Sequence, residues 1–202
     1  MPALALALYA IWIVIAFGLR ALIHLRNTGD SGFRGVRGDP GSVEWWAGAL
    51  FVLALLIGVA APVAGILDIE PLDGFDNTAV HVAGAVVTVI GIIVTLIAQL
   101  AMGDSWRVGV DRNERTPLVT GGPFRIVRNP IYSAMSVTAI GLTLLVGNWL
   151  AILGLVVLAT ALELQVRVVE EPYLLAVHGD AYRRYAAHVG RFVPGFGRRL
   201  DR

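Results

Sequence analysis

Two stretches of this 202-residue chain concentrate side chains that could do chemistry. The first is Met102–Tyr132, which contains Trp106, Arg107 and then the run Thr116-Pro-Leu-Val-Thr-Gly-Gly-Pro-Phe-Arg-Ile-Val-Arg-Asn-Pro-Ile-Tyr132. Pro117, Pro123 and Pro130, with Gly121 and Gly122, forbid a continuous helix there. The backbone N–H and C=O groups must find other partners: a polar ligand on one reading, water and side chains on the other. Asn129-Pro130 reads equally as the N-cap and first turn of a helix or as part of a site. The second stretch is Arg167–Pro194. It carries the adjacent acids Glu170 and Glu171, then Tyr173, Tyr182 and Tyr185 at a rough helical spacing broken at His178-Gly179-Asp180. Taken alone it is an amphipathic interfacial helix with arginines on its wet face. Glu163 lies two turns before the acidic pair. An acid inside a span suggests a site, but Arg167, four residues on, is placed to pair with it.

Composition removes other chemistries. There is no Cys, which excludes disulfides, thiolate catalysis and Cys-based metal sites. All sixteen basic residues are Arg, which excludes a Schiff-base or P-loop lysine. His24, His81, His178 and His188 do not cluster at metal-ligand spacing, and no metal site is expected. The HExxH, GxSxG and GxxxxGK[ST] patterns are absent. The Gly-rich loop Arg26–Ser42 reads as a flexible linker rather than a phosphate cradle.

The elements that must position these residues are membrane helices. Hydrophobic residues make up 56% of the chain and charged ones 15%, with a mean hydropathy of +0.72. That leaves too little polar surface to cover a soluble globule, for which about 25% charged residues is usual. Long apolar stretches predict spans at Met1–Leu19, Trp45–Leu67 and Ala79–Ala101. The first lacks a basic leader region and is expected to be retained. Asn129–Leu162 holds no Asp, Glu or Arg. As one helix it would run about 50 Å, against a hydrocarbon core of about 30 Å. Gly147-Asn148-Trp149 is the natural break, giving a hairpin of Ile131–Val146 and Trp149–Val169.

Charge placement then sets orientation. Arg20, Arg26, Arg34 and Arg37 follow span one. Asp68, Glu70, Asp73 and Asp76 follow span two. Arg107, Arg112, Arg115, Arg125 and Arg128 follow span three. Arg167, Arg183, Arg184, Arg191, Arg198, Arg199 and Arg202 follow the hairpin. Five spans put every Arg on one side, the cytoplasmic one. The expectation is an all-α, multi-pass cell-membrane protein with five transmembrane helices, a C-terminal hairpin and an amphipathic tail. Its N-terminus is outside and its C-terminus inside. Residues 1–101 would form three N-terminal helices, and 102–202 the functional core. Because topology accounts for the arginines, nucleic acid is not an expected partner. Oligomeric state is not legible.

Five motifs occur in order: Leu118-Val-Thr-Gly-Gly-Pro-Phe-Arg125, Arg128-Asn-Pro-Ile-Tyr132, Glu170-Glu171-x-x-Leu174, Gly179-x-x-Tyr182-x-x-Tyr185 and Arg191-Phe-Val-Pro194. Together they resemble the isoprenylcysteine carboxyl methyltransferase family and its relative, phospholipid N-methyltransferase. The resemblance covers about residues 103–194. It implies S-adenosylmethionine as methyl donor, with S-adenosylhomocysteine as product, and a lipid-like acceptor at the cytoplasmic face. By position it implies cofactor contacts from Thr116, Pro117, Leu118, Val119, Phe124, Asn129, Pro130, Ile131, Tyr132, Glu170, Glu171, Tyr182 and Tyr185. Arg128 and Arg167 become the candidate reaction-site cations. Asn129 stands where the family has His, and Phe124 where it has Tyr. A carboxylate acceptor needs no general base, whereas an amine must first lose a proton; that favours the carboxylate. Prenylcysteine, phospholipid amine, quinone precursor, sterol and fatty acid stay open as acceptors. The rival expectations are an NADPH-dependent sterol-type reductase and a non-enzymatic membrane scaffold.

Overall fold

The computed structural model describes residues 1–36, 38–109 and 115–198. Arg37, Arg112, Arg199 and Arg202, counted above for orientation, lie outside them. Six helices make up the described chain: α1 Pro2–Thr28, α2 Val43–Ile66, α3 Thr78–Ala101, α4 Pro130–Val146, α5 Trp149–His178 and α6 Asp180–His188. Among the described residues there is no strand, only two isolated parallel bridges, Phe33 with Val108 and Val127 with Gly190. Four helices, α1, α2, α3 and α5, are long and apolar enough to cross a membrane. Helix α4, with 17 residues, is shorter.

Local chemistry sets the helix ends. Ser42 accepts from the Trp45 N–H at 3.2 Å and starts α2. Asn77 accepts from the Val80 N–H at 3.0 Å and starts α3. The hairpin break falls where the sequence placed it. Gly147, at φ 68°, ends α4, and Asn148 caps α5 by accepting from the Ala151 N–H at 3.0 Å. Asn148 is fully buried and donates its other amide group to the Ala61 carbonyl at 2.9 Å, tying the turn to α2.

Two expectations need correction. Asn129 precedes α4 but does not cap it with its side chain. Its backbone, at ψ 61°, is not extended, and its amide donates instead to the Arg191 carbonyl at 3.1 Å. Helix α1 does not stop at Leu19 but continues to Thr28, so Arg20 is not a loop charge. It is buried beneath Trp106, its guanidinium 5.0 Å from the ring centroid, and donates to the Gly103 carbonyl. A ring face and a carbonyl take the place of water there. Within α1 a wide π turn, Val14–Leu19, coincides with a second link. The Ala16 carbonyl accepts from the Gln99 side chain of α3 at 2.8 Å.

The tightest seam lies between α3 and α4. Gly84, Thr88, Gly91 and Thr95 recur at helical spacing on α3, and the first three meet Thr138 and Gly141 on α4. A Cβ added at Gly84 would sit 2.9 Å from the Gly141 carbonyl, and one at Gly91 would sit 2.7 Å from the Thr138 nitrogen. Thr88, Thr95 and Thr138 return their hydroxyls to carbonyls one turn back at 2.7, 2.8 and 3.0 Å. The backbones thus approach without stranding polar groups in an apolar setting. Gly141→Val should cost at least the upper end of the about 1–3 kcal/mol usual for overpacking. A Cβ at Gly18 meets nothing within 4 Å, and Gly18→Ala should be neutral. Thermal unfolding of both variants in detergent checks the contrast; equal midpoints would show that the seam is not close-packed.

Candidate active site

The polar stretches meet around one buried carboxylate. Glu171 Oε1 accepts from Arg128 Nη2 and from Arg191 Nε, both at 2.7 Å, and Oε2 accepts from Arg191 Nη2 at 3.1 Å. The Arg128 guanidinium also donates to the carbonyls of Ala186 at 2.9 Å, Val189 at 2.8 Å and Gly197 at 3.1 Å. Backbone bonds run alongside. The Arg128 N–H reaches the Gly190 carbonyl at 2.8 Å, the Asn129 N–H reaches the Arg191 carbonyl at 3.1 Å, and Ser133 donates to the Phe192 carbonyl at 2.7 Å. The segment after α6 is therefore strapped across the start of α4.

Beside this knot lies a cavity of about 510 Å³. Its polar lining includes Arg107, Thr116, Tyr132, Gln165, Glu170 and Tyr173, and Tyr182 and Tyr185 wall it as well. Its apolar lining includes Ile13 and Phe17 of α1, Phe33 and Val36 of the following loop, and Phe51, Val52 and Leu55 of α2. Glu170 faces in. The Tyr132 hydroxyl donates to Glu170, and the Gln165 amide donates to it at 3.4 Å. These hydrogen-bond donors are neutral, in contrast to the two arginines on Glu171. Tyr185 donates to the Phe124 carbonyl at 2.6 Å, which fixes the α6 tyrosines over the 3₁₀ turn Gly122–Arg125.

The sequence model of the phospholipid methyltransferase family matches residues 79–181, just over half of the chain. The chain belongs to that family. It is also 31% identical over 98 residues to a protein-S-isoprenylcysteine O-methyltransferase of Schizosaccharomyces pombe, across 48% of this chain and 42% of that protein. It is 27% identical over 146 residues to protein-S-isoprenylcysteine O-methyltransferase B of Arabidopsis thaliana, across 71% of this chain and 73% of that protein. The match thus spans less than half the length of the fission-yeast relative.

The structure of this phospholipid methyltransferase family member collects most of the sequence-predicted residues. Thr116, Pro117, Leu118, Val119, Phe124, Arg128, Asn129, Pro130, Ile131, Tyr132, Glu170, Tyr182 and Tyr185 all line the cavity. Thr116–Val119 runs as open, non-helical chain without strand partners. Two residues stand elsewhere. Glu171 is turned into the arginine pair and is not on the cavity wall. Arg167 is exposed and bound to Glu163 one turn back, the pairing that its spacing allowed. Arg128 touches the cavity, but its Nη atoms are engaged with Glu171 and three carbonyls. Sequence reasoning missed Arg107, Gln165 and Tyr173. Tyr173 was detectable, because it lies three residues beyond Glu170 on the same helix. Arg107 was not, because long-range contacts place it: the Phe33–Val108 bridge and Trp106 packed against Phe33 and His24.

Glu171→Gln removes the charge that offsets two arginines. It should cost about 3–5 kcal/mol, the range for breaking one partner out of a buried pair, read as a lowered unfolding midpoint. The tyrosines give a pH test. Burial pushes the Tyr182 hydroxyl up to about 12 from its ordinary 10, and burial pushes Tyr185 up as well. Between those values the unfolded chain loses protons that the fold retains, so stability present below pH 10 falls as pH rises toward 12. The chain has no Lys or Cys to titrate in this window. The unfolding midpoint should drop there, and less steeply in the Tyr182→Phe/Tyr185→Phe variant.

Proposed function

We propose that this protein is a membrane methyltransferase that uses S-adenosylmethionine and methylates a lipid-like acceptor, an isoprenylcysteine-type carboxylate or a close analogue. The observation that carries this reading is Glu170, a carboxylate on the wall of the large cavity whose hydrogen-bond donors, Tyr132 and Gln165, are neutral. A buried carboxylate so placed favours a cationic ligand. The names of the two relatives support the O-methyl chemistry. The residues fit the donor: Glu170 would take its ammonium group, Thr116–Val119 and Asn129–Tyr132 would meet it along the wall, and Tyr182 and Tyr185 would cover its adenosine end. Bound there, the donor supplies a methyl group already activated on a sulfonium.

The chain's own task is alignment. Tyr132 and Gln165 hold the Glu170 carboxylate toward the cavity. The Tyr185–Phe124 bond holds the tail helix over it and limits entry of water. Phe17, Phe33, Phe51 and Leu55 give an apolar acceptor a hydrocarbon-like wall. A carboxylate acceptor arrives as a nucleophile, so no base is required of these residues. Alignment of this kind accounts for about 7–11 kcal/mol of barrier in favourable systems.

We further propose five crossings, with the short α4 as the fourth, the N-terminus outside and the arginine-rich face in the cytoplasm. Residues 102–202 would carry the donor end, and 1–101 the apolar wall. The chain lacks cysteine, so single-cysteine variants test orientation directly. Asp73→Cys should label from outside in intact cells, and Arg198→Cys only after lysis. Donor binding is tested with the product. S-adenosylhomocysteine at about 100 times its Kd should stabilise purified protein by about 2.7 kcal/mol, and NADPH should not. Glu170→Gln should weaken that binding. No thermal shift at millimolar S-adenosylhomocysteine would sink the reading.

A further inference from the structure

Two cationic side chains are among the residues that line the cavity, Arg107 and Arg128, and one anionic side chain, Glu170. Arg128 binds Glu171 and the carbonyls of Ala186, Val189 and Gly197, so it serves the knot beside the cavity. Arg107 is held on the cavity wall. Its Nη2 donates to the Thr116 hydroxyl at 3.0 Å and to the Tyr173 hydroxyl at 3.2 Å, and its guanidinium lies 5.6 Å from the Tyr173 ring centroid. Tyr173 follows Glu170 by three residues on α5, so this anchor sets Arg107 near Glu170. The cavity therefore presents a positive and a negative group on one wall.

We infer that Arg107 binds the carboxylate of the donor's amino-acid end, next to Glu170, which binds its ammonium. The inference rests on the adenosyl-donor reading above. An amino-acid zwitterion carries opposite charges on one carbon, so its site needs opposite charges within a few ångströms. Arg107 and Glu170 offer such a pair in one cavity, with Thr116 and Tyr173 among the groups that position the first and Tyr132 and Gln165 bonded to the second. Charge-assisted bonds between a guanidinium and a carboxylate are the strong kind. The apolar wall built by Phe17, Phe51 and Leu55 then remains for the acceptor. Arg107 becomes a donor-binding residue in place of Arg128 and Arg167.

The test is calorimetric binding to purified full-length protein, with three adenosyl ligands and no turnover. They are S-adenosylhomocysteine, its decarboxylated analogue, and 5′-methylthioadenosine, which lacks the whole amino-acid end. Arg107→Gln should weaken S-adenosylhomocysteine about tenfold or more. It should leave the other two ligands within about twofold, and Arg107→Lys should restore part of the loss. The unmodified protein gives a reading that needs no variant to fold: it should prefer S-adenosylhomocysteine to the decarboxylated analogue by about tenfold. The inference is overturned if the unmodified protein shows no such preference. It is also overturned if Arg107→Gln weakens all three ligands alike, which would make Arg107 a prop for the cavity's shape. If none of the three binds the unmodified protein, the donor reading itself falls, and this inference with it.

Discussion

A carboxylate taken out of water must be compensated where it stands, and at Glu171 that demand organises the half of the molecule that carries the site. Two arginines from distant parts of the chain converge on it, and Arg128 in turn needs acceptors for its other protons. Its Nη groups find them in the carbonyls of Ala186, Val189 and Gly197. Through one ion cluster the end of the central loop, helix α5, helix α6 and the closing strap take fixed positions. The neighbouring acid shows what this arrangement leaves over. Glu170 is one residue away, faces the other side and keeps neutral donors for company. Of two adjacent glutamates, one builds the wall and the other lines it.

The two π turns lie where this division is made. In α5 the turn Gln165–Glu170 holds both the outward Arg167, paired with Glu163, and the inward Glu170. In α1 the turn Val14–Leu19 accompanies the Ala16 carbonyl bond to Gln99 and precedes the buried Arg20. Insertions of this type change the register of a helix face partway along it, and they recur at functional sites. Here each lies in a helix that lines the cavity, at Phe17 in one case and at Gln165 and Glu170 in the other.

Much of this was legible in the chain. Apolar length gave the long helices, and Gly147-Asn148-Trp149 marked the hairpin turn because a left-handed residue followed by a capping side chain has one structural use. The order of the five motifs gave the family. Proximity in sequence was a poorer guide to which charges face the cavity. Glu171 matched the motif as well as Glu170 did, yet only tertiary contacts show that Arg128 and Arg191 claim it. Arg20 read as a loop charge because nothing local tells that Trp106, 86 positions on, will cover it. The apolar lining of the cavity was invisible for the same reason. Phe17, Phe33 and Phe51 carry no motif, and they matter through a shape that forms only when the first two helices pack.

The α3–α4 seam bears on how a water-insoluble molecule could reach that shape. Where glycine backbones touch across two helices, no side chain can swing aside to make room, and separation would strip both helices of contact at once. These two helices must therefore move as one rigid plank. Compliance has to come from seams filled by rotatable side chains, such as Tyr9 of α1 against α2 or Ile57 of α2 against Gly154 of α5. The bundle is thus packed unevenly, backbone against backbone at one seam and side chain against backbone at these others. Those other seams involve α1 and α2, which also supply the apolar wall.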